Sequence, residues 1–213
     1  MAMKSPPWDQ RVARILVKPL VKSPVTPNQL TALTLITAIT GAGLVATGEQ
    51  AATNWGVGLF VWARFLDHCD GELARQKGTT SKLGYYLDYI VGALSYCTLF
   101  ACIGIGLRST EMKGWHLGAP PLLLGFAGML SAIASMFVNI GIDQYQGRDE
   151  SGDAIGYPGI AGFELEDGIY LIAPITWFGF LAPFFVLTSI GAAVYLLWSF
   201  WCFFRLRRTL ATH

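Results

Sequence analysis

Apolar residues run along the chain in long blocks divided by short polar breaks. The first block is amphipathic. Trp8, Val12, Ile15, Leu16 and Leu20 recur at helical spacing, while Arg11, Arg14, Lys18 and Lys22 take the other face. Over 8–22 this predicts a basic interfacial helix on a membrane surface. A start signal follows, with Thr26 as N-cap, Pro27 at the first helical position and Gln29 completing a capping box. Apolar helices are then predicted over about 27–47, 53–75, 82–107 and 119–141. Residues 143–163 are polar and Gly-rich, which predicts a loop. From 165 to 205 the chain is apolar again and too long for one span; Gly179 to Pro183 divide it into helices over about 165–179 and 183–206. Runs near ~20 residues match the hydrocarbon thickness of a bilayer. The expected fold is an all-α membrane protein with six transmembrane helices preceded by an N-terminal amphipathic interfacial helix. The expected parts are an interfacial segment 1–25, a membrane domain 26–208 and a tail 209–213.

Composition agrees with a membrane setting. Of 213 residues 53% are hydrophobic and 14% charged, and the mean hydropathy is +0.46. A net charge of +1 favours no charged partner, and no nucleic-acid partner is expected. The basic residues are unevenly placed: at the N-terminus, at Arg75, Lys77 and Lys82, and at Arg205, Arg207 and Arg208. Six spans put these clusters on one side, and the positive-inside rule makes that side cytoplasmic. The first 24 residues are basic and broken by prolines, so no cleavable signal peptide is expected. Cys69, Cys97, Cys102 and Cys202 have neither zinc nor disulfide spacing and read as buried small residues.

The chemistry concentrates between Arg64 and Gly92. Asp67 and Asp70 are spaced i, i+3 and share a helix face, with Gly71 beside them. Gly84, Asp88 and Gly92 form one stripe on the next helix. A short loop between the two helices would bring Asp67, Asp70 and Asp88 together. One Asp at a membrane helix centre costs roughly 2.5–3.5 kcal/mol, and three convergent ones repel unless a cation lies between them. Hard oxygen ligands select Mg²⁺, Mn²⁺ or Ca²⁺. A diphosphate could add oxygens, and Arg75 could pair with it as a fork.

This stretch resembles the signature of the CDP-alcohol phosphotransferases, Asp-x2-Asp-Gly-x2-Ala-Arg-x8-Gly-x3-Asp-x3-Asp. Every fixed position from Asp67 to Asp88 is present, including the gap between Arg75 and Gly84; the last is Gly92 instead of Asp. The resemblance implies transfer of a phosphate-linked alcohol from a CDP-alcohol to an acceptor hydroxyl, with CMP released and Mg²⁺ or Mn²⁺ as cofactor. It implies that Asp67, Asp70 and Asp88 bind metal and that Gly71, Arg75 and Ser81 contact the CDP moiety. Pro27-Asn28-Gln29-Leu30-Thr31 is similar to the family's Pro-Asn-x-Leu-Thr element, so Asn28, Gln29, Leu30 and Thr31 are expected at the substrate. The implied partners are a CDP-alcohol donor, a hydroxyl acceptor, membrane lipids and a second copy of the chain. The expected location is a bacterial cytoplasmic membrane, with the site on the cytoplasmic side.

Gly92 stands where the family's general base belongs. Three accounts compete: an inactivated variant, which is preferred; a homologue using another base; or a binder that has lost turnover. Asp167 and Glu164 are the substitute bases considered. Otherwise Glu164, Glu166 and Asp167 are expected to open the fifth span, where acids suit a helix N-terminus. His68 and Cys69 turn away from the aspartate face and are expected to pack. His116 and His213 are expected in solvent, and the tryptophans in an interfacial belt. A prenyltransferase would need a second Asp-rich motif, and a transporter would need polar residues deep in several helices. A silent CDP-alcohol binder stays open.

Overall fold

The computed structural model describes residues 7–108, 121–145, 159–160 and 163–211. His116, His213 and most of the expected loop over 143–163 lie outside the described residues. The described elements are almost all helical: α1 (Trp8–Leu16), α2 (Pro27–Ala46), α3 (Gln50–Lys77), α4 (Lys82–Arg108), α5 (Pro121–Tyr145), α6 (Ile172–Trp177) and α7 (Leu181–Ala211). A two-residue antiparallel strand pair, β1 (Gly159–Ile160) with β2 (Phe163–Glu164), precedes α6.

Among the described residues, four helices are long and apolar enough to cross a bilayer: Pro27–Ala46, Lys82–Arg108, Pro121–Tyr145 and Leu181–Arg208. α3 has the length, at 28 residues, but its second half carries Arg64, Asp67, His68, Asp70, Glu72 and Arg75. The segment expected as a fifth span differs most from expectation. Residues Leu165–Leu171 form a 3₁₀ helix, and α6 is only 6 residues long. Pro174 is the physical reason: its ring would clash with the carbonyl of Tyr170 in a continuous α-helix, but it is tolerated in a first turn. Glu164 therefore sits in β2, and Glu166 and Asp167 in the 3₁₀ helix, where they do not open an α-helix. Gly179, at φ 83, then turns the chain into α7.

The expected helix over 8–22 is also split. α1 ends at Leu16, and a 3₁₀ helix covers Lys18–Lys22; Pro19 lacks the N–H that a continuing α-helix would use. α1, with the Val17 that follows it, presents a buried face and an exposed apolar one. Asp9, Ala13 and Val17 are buried, with Ala13 and Val17 packed on Cys69 and Leu73 of α3. Val12, Ile15 and Leu16 are exposed.

The main core joins Val45 of α2, Val57 and Phe60 of α3, Leu99 and Ile103 of α4, Ile172 of α6 and Phe185 of α7. α2 and α3 approach closely where two glycines face each other: a Cβ on Gly56 would lie 2.5 Å from the Gly41 carbonyl oxygen. The outer face of α7 is apolar and exposed, with Leu187, Ile190, Val194, Leu197 and Trp201. That surface suits a hydrocarbon solvent.

Candidate metal and diphosphate site

Local signals set the frame of the site. α3 stops at Gly78, whose φ of 65 is left-handed. The amides of Gly78 and Thr79 turn back to the carbonyls of Arg75 (3.2 Å) and Ala74 (3.0 Å). This is a helix stop that glycine favours. Ser81 then starts α4, its Oγ accepting the Gly84 N–H at 3.1 Å. After the turn α4 packs against α2, which also lies against α3. Ligand atoms of Asp67, Asp70 and Asp88 come within 4.8 Å of one another, as their spacing led us to expect.

α2 closes the other side. Its capping box is formed: Thr26 Oγ1 accepts the Gln29 N–H at 3.3 Å, and Gln29 Oε1 accepts the Thr26 N–H at 2.9 Å. The Gln29 side chain is thus used in the cap. Thr31 donates to the Pro27 carbonyl at 3.1 Å and neighbours the Asp70 carboxylate. Asn28 is exposed at the helix start. Leu30 packs against the buried cluster of Ala13, Val17, Cys69 and Leu73. Lys77 Nζ reaches the carbonyls of Ser23 (2.9 Å) and Val25 (2.6 Å) and fixes the approach to α2.

The three carboxylates are in different surroundings. Asp67 is ion-paired with Arg64. Asp70 is 5% exposed, and its Oδ2 is buried without a hydrogen-bond partner. A buried carboxylate oxygen left unsatisfied is costly. Beside two further carboxylates, that orphaned oxygen fits a hard divalent cation held by oxygen ligands.

Gly92 opens toward this centre. A Cβ there would meet nothing within 4 Å. Gly92 lines a small cleft with Arg64 and Asp67, together with Thr34 and Ser95, whose buried hydroxyls have no hydrogen-bond partner. The side chains of Glu164 and Asp167 lie outside the described residues.

His68 does turn away from the aspartate face, and its Nε2 lies 2.8 Å from Asp9 Oδ2 of α1. Burial alone would raise the Asp9 carboxyl. The hydrogen bond and charge of His68, together with hydrogen bonds from the Gln10 N–H and the Tyr170 hydroxyl, outweigh it and hold Asp9 at about 2. Arg75 is engaged as well: its Nε lies 2.9 Å from Glu72 Oε2, and Glu72 Oε1 takes Arg14 Nε at 2.9 Å. The sequence reading missed Asp9, Arg14 and Glu72 as parts of this region. The one signal available was the i, i+3 spacing of Glu72 and Arg75.

Residues 24–148 match the model of the CDP-alcohol phosphatidyltransferase family, more than half of the chain. The chain belongs to that family. Members transfer through CDP-alcohols and use divalent metal, and the acidic cluster Asp67, Asp70 and Asp88 is the candidate place for it. This phosphatidyltransferase family member is 30% identical over 167 residues to an archaetidylinositol phosphate synthase of Pyrococcus horikoshii, covering 77% of this chain and 84% of that one. It is 29% identical over 129 residues to a bifunctional IPC transferase and DIPP synthase of Rubrobacter xylanophilus, covering 57% of this chain. The aligned segment spans only 29% of that protein's length, and 27% of a similarly described protein from Thermococcus kodakarensis. Mycobacterium tuberculosis phosphatidylinositol phosphate synthase, solved with CDP-DAG bound, shares the fold: TM-score 0.51 at 18% identity, over 90% of this chain and 94% of that one.

Proposed function

We propose that the chain binds a CDP-alcohol at the α2/α3/α4 end through Mg²⁺ or Mn²⁺ held by Asp67, Asp70 and Asp88. In this reading it transfers the donor's alcohol-phosphate to an acceptor hydroxyl. The observation that carries the reading is the convergence of three carboxylates around the orphaned Asp70 Oδ2. The acceptor oxygen would bond to the phosphorus that carries the alcohol. The bond from that phosphorus to the oxygen bridging it to CMP would break, and CMP would leave with the electron pair. The cation, when bound, neutralises charge on the diphosphate and on departing CMP. Arg75 and Gly71 hold the diphosphate on the α3 side, and the start of α2, with Asn28 and Thr31, faces it with a helix N-terminus. Ser81 shapes the α4 start beside it.

The acceptor's proton needs a base, and Gly92 supplies none. The relative's name puts an inositol phosphate first among acceptors to try, and the CDP-DAG-bound fold relative makes CDP-diacylglycerol the first donor. α1 fits a membrane surface: exposed Val12, Ile15 and Leu16 adjoin exposed Arg11 and Lys18. The positive-inside pattern would place α1 and the site in the cytoplasm of a bacterial cell. The test is release of labelled CMP from CDP-diacylglycerol with and without inositol phosphate, for this chain and Gly92→Asp, in Mn²⁺. The expected result is metal-dependent donor binding by both and faster release by Gly92→Asp. Absence of donor binding in both variants would sink the reading. A second reading, donor binding without turnover, is favoured by Gly92 itself; it predicts binding with no CMP release from this chain.

A further inference from the structure

We propose that α1 is a working part of the donor site, and that Arg14, acting through Glu72, positions the Arg75 guanidinium for the diphosphate. The inference rests on the reading that a CDP-alcohol binds beside Gly71 and Arg75. Glu72 is 4% exposed, and its carboxylate lies between two guanidinium groups. Arg14 Nε approaches one oxygen and Arg75 Nε the other, both at 2.9 Å. With its Nε tied back in this way, Arg75 lays its terminal nitrogens over Gly71: both are 3.7 Å from where a Cβ would stand. Gly71 adjoins Asp70, so the open fork of the arginine is presented beside the acid cluster.

Arg14 is the element that keeps Glu72 from doing more. Without it, one oxygen of a buried carboxylate would lose its cation. The nearest replacement is a terminal nitrogen of Arg75, in the two-point geometry that arginine favours with carboxylates. That rearrangement would draw the fork off Gly71. α1 itself is held in place for the task. Asp9 takes His68 at 2.8 Å and the Tyr170 hydroxyl at 3.1 Å, and Gln76 donates to the Arg14 carbonyl at 2.9 Å. The attachments fall on His68, Glu72 and Gln76, a stripe of α3 at four-residue spacing. Glu72 occupies one of the signature's variable positions, so family membership does not assign it this role.

The test is calorimetric titration of the full chain in detergent with CDP-diacylglycerol and Mn²⁺. Arg14 is a positioning residue with a side chain 62% exposed, so Arg14→Ala is expected to melt as the unmodified chain does. Its donor Kd is expected to rise roughly tenfold, the low end of what losing an outer-shell partner costs a metal site. Mn²⁺ affinity, read separately by electron paramagnetic resonance, is expected to stay unchanged. Arg14→Lys should recover part of the loss, and Arg11→Ala, on the same helix but away from Glu72, should show none. In an Arg75→Ala background Arg14→Ala should add nothing. A weak-binding Arg75→Ala beside a tight-binding Arg14→Ala would overturn the inference and leave the donor site standing. Equal losses in Arg11→Ala and Arg14→Ala would overturn it too, since general charge would then be the cause. Unchanged affinity in Arg75→Ala would overturn both the inference and the assignment of Arg75 to the donor.

Discussion

Gly71 and Gly92 lie beside the same acids and should respond to substitution in opposite ways. A Cβ on Gly71 would sit 3.7 Å from the Arg75 guanidinium, an ordinary contact. Alanine is also a better helix former than glycine by about 1 kcal/mol. Gly71→Ala should therefore melt no lower than the unmodified chain, yet bind CDP-alcohol more weakly, because the methyl takes the room between the fork and the ligand. Melting and titration on one sample separate the two effects; undiminished affinity would remove the donor from Gly71. Gly92 has open space instead, so the Cβ of an aspartate would meet no neighbour within 4 Å. A positioned general base contributes roughly 10²–10⁴-fold. Gly92→Asp should raise CMP release by a factor in that range if the chemical step limits turnover, with donor affinity little changed. A variant that binds donor and shows no gain would mean that proton removal is managed elsewhere.

Between helices, closeness matters more than chemistry. Gly56→Ala would set a Cβ 2.5 Å from the Gly41 carbonyl oxygen, so α2 and α3 must move apart. Overpacking of this kind costs about 1–3 kcal/mol. Gly43→Ala, with nothing within 4 Å, should cost nothing. A lower melting temperature for the first and not the second is the expected pattern. The docking of α1 depends on pH in a definite direction. Asp9 is held at about 2 against an ordinary 3.8. A lowered carboxyl stabilises the folded form fully above its unfolded value and loses that contribution as pH falls through its folded value. Amide exchange over residues 8–16 should accordingly be protected above pH 3.8 and lose protection towards pH 2; Asp9→Asn should show the reduced protection already at neutral pH. Equal protection in the two chains at pH 7 would mean that packing of Ala13 and Val17, not the ion pair, holds the helix.

At the scale of the molecule, what the sequence made legible was what repeats at short range. Apolar runs located four bilayer-length helices, and the i, i+3 and i, i+4 spacings placed Asp67, Asp70 and Asp88 on facing stripes before any coordinates. Two things were hidden. The 165–179 stretch reads as part of a long apolar run, but Pro174 divides it into 3₁₀ and α turns, a backbone effect that hydropathy does not weigh. The docking of α1 on α3 joins Asp9 to His68 and Arg14 to Glu72 across more than fifty residues of chain, and no local period encodes such a pairing.

The same long-range assembly gives the acid cluster an unusual stability signature. Three carboxylates with ligand atoms within 4.8 Å repel one another in the metal-free protein, and Asp70 contributes a buried oxygen without a partner. Removing its charge relieves that strain. Asp70→Asn should therefore melt higher than the unmodified chain after chelation, by about 2–4 °C for each kcal/mol relieved in a chain of this size. Cations that bind the folded form stabilise it by mass action, so Mn²⁺ should raise the melting temperature of the unmodified chain. It should barely move that of Asp70→Asn, and the order of the two melting curves should reverse as Mn²⁺ is added. A cluster that merely marked a helix end would show neither the gain without metal nor the reversal with it.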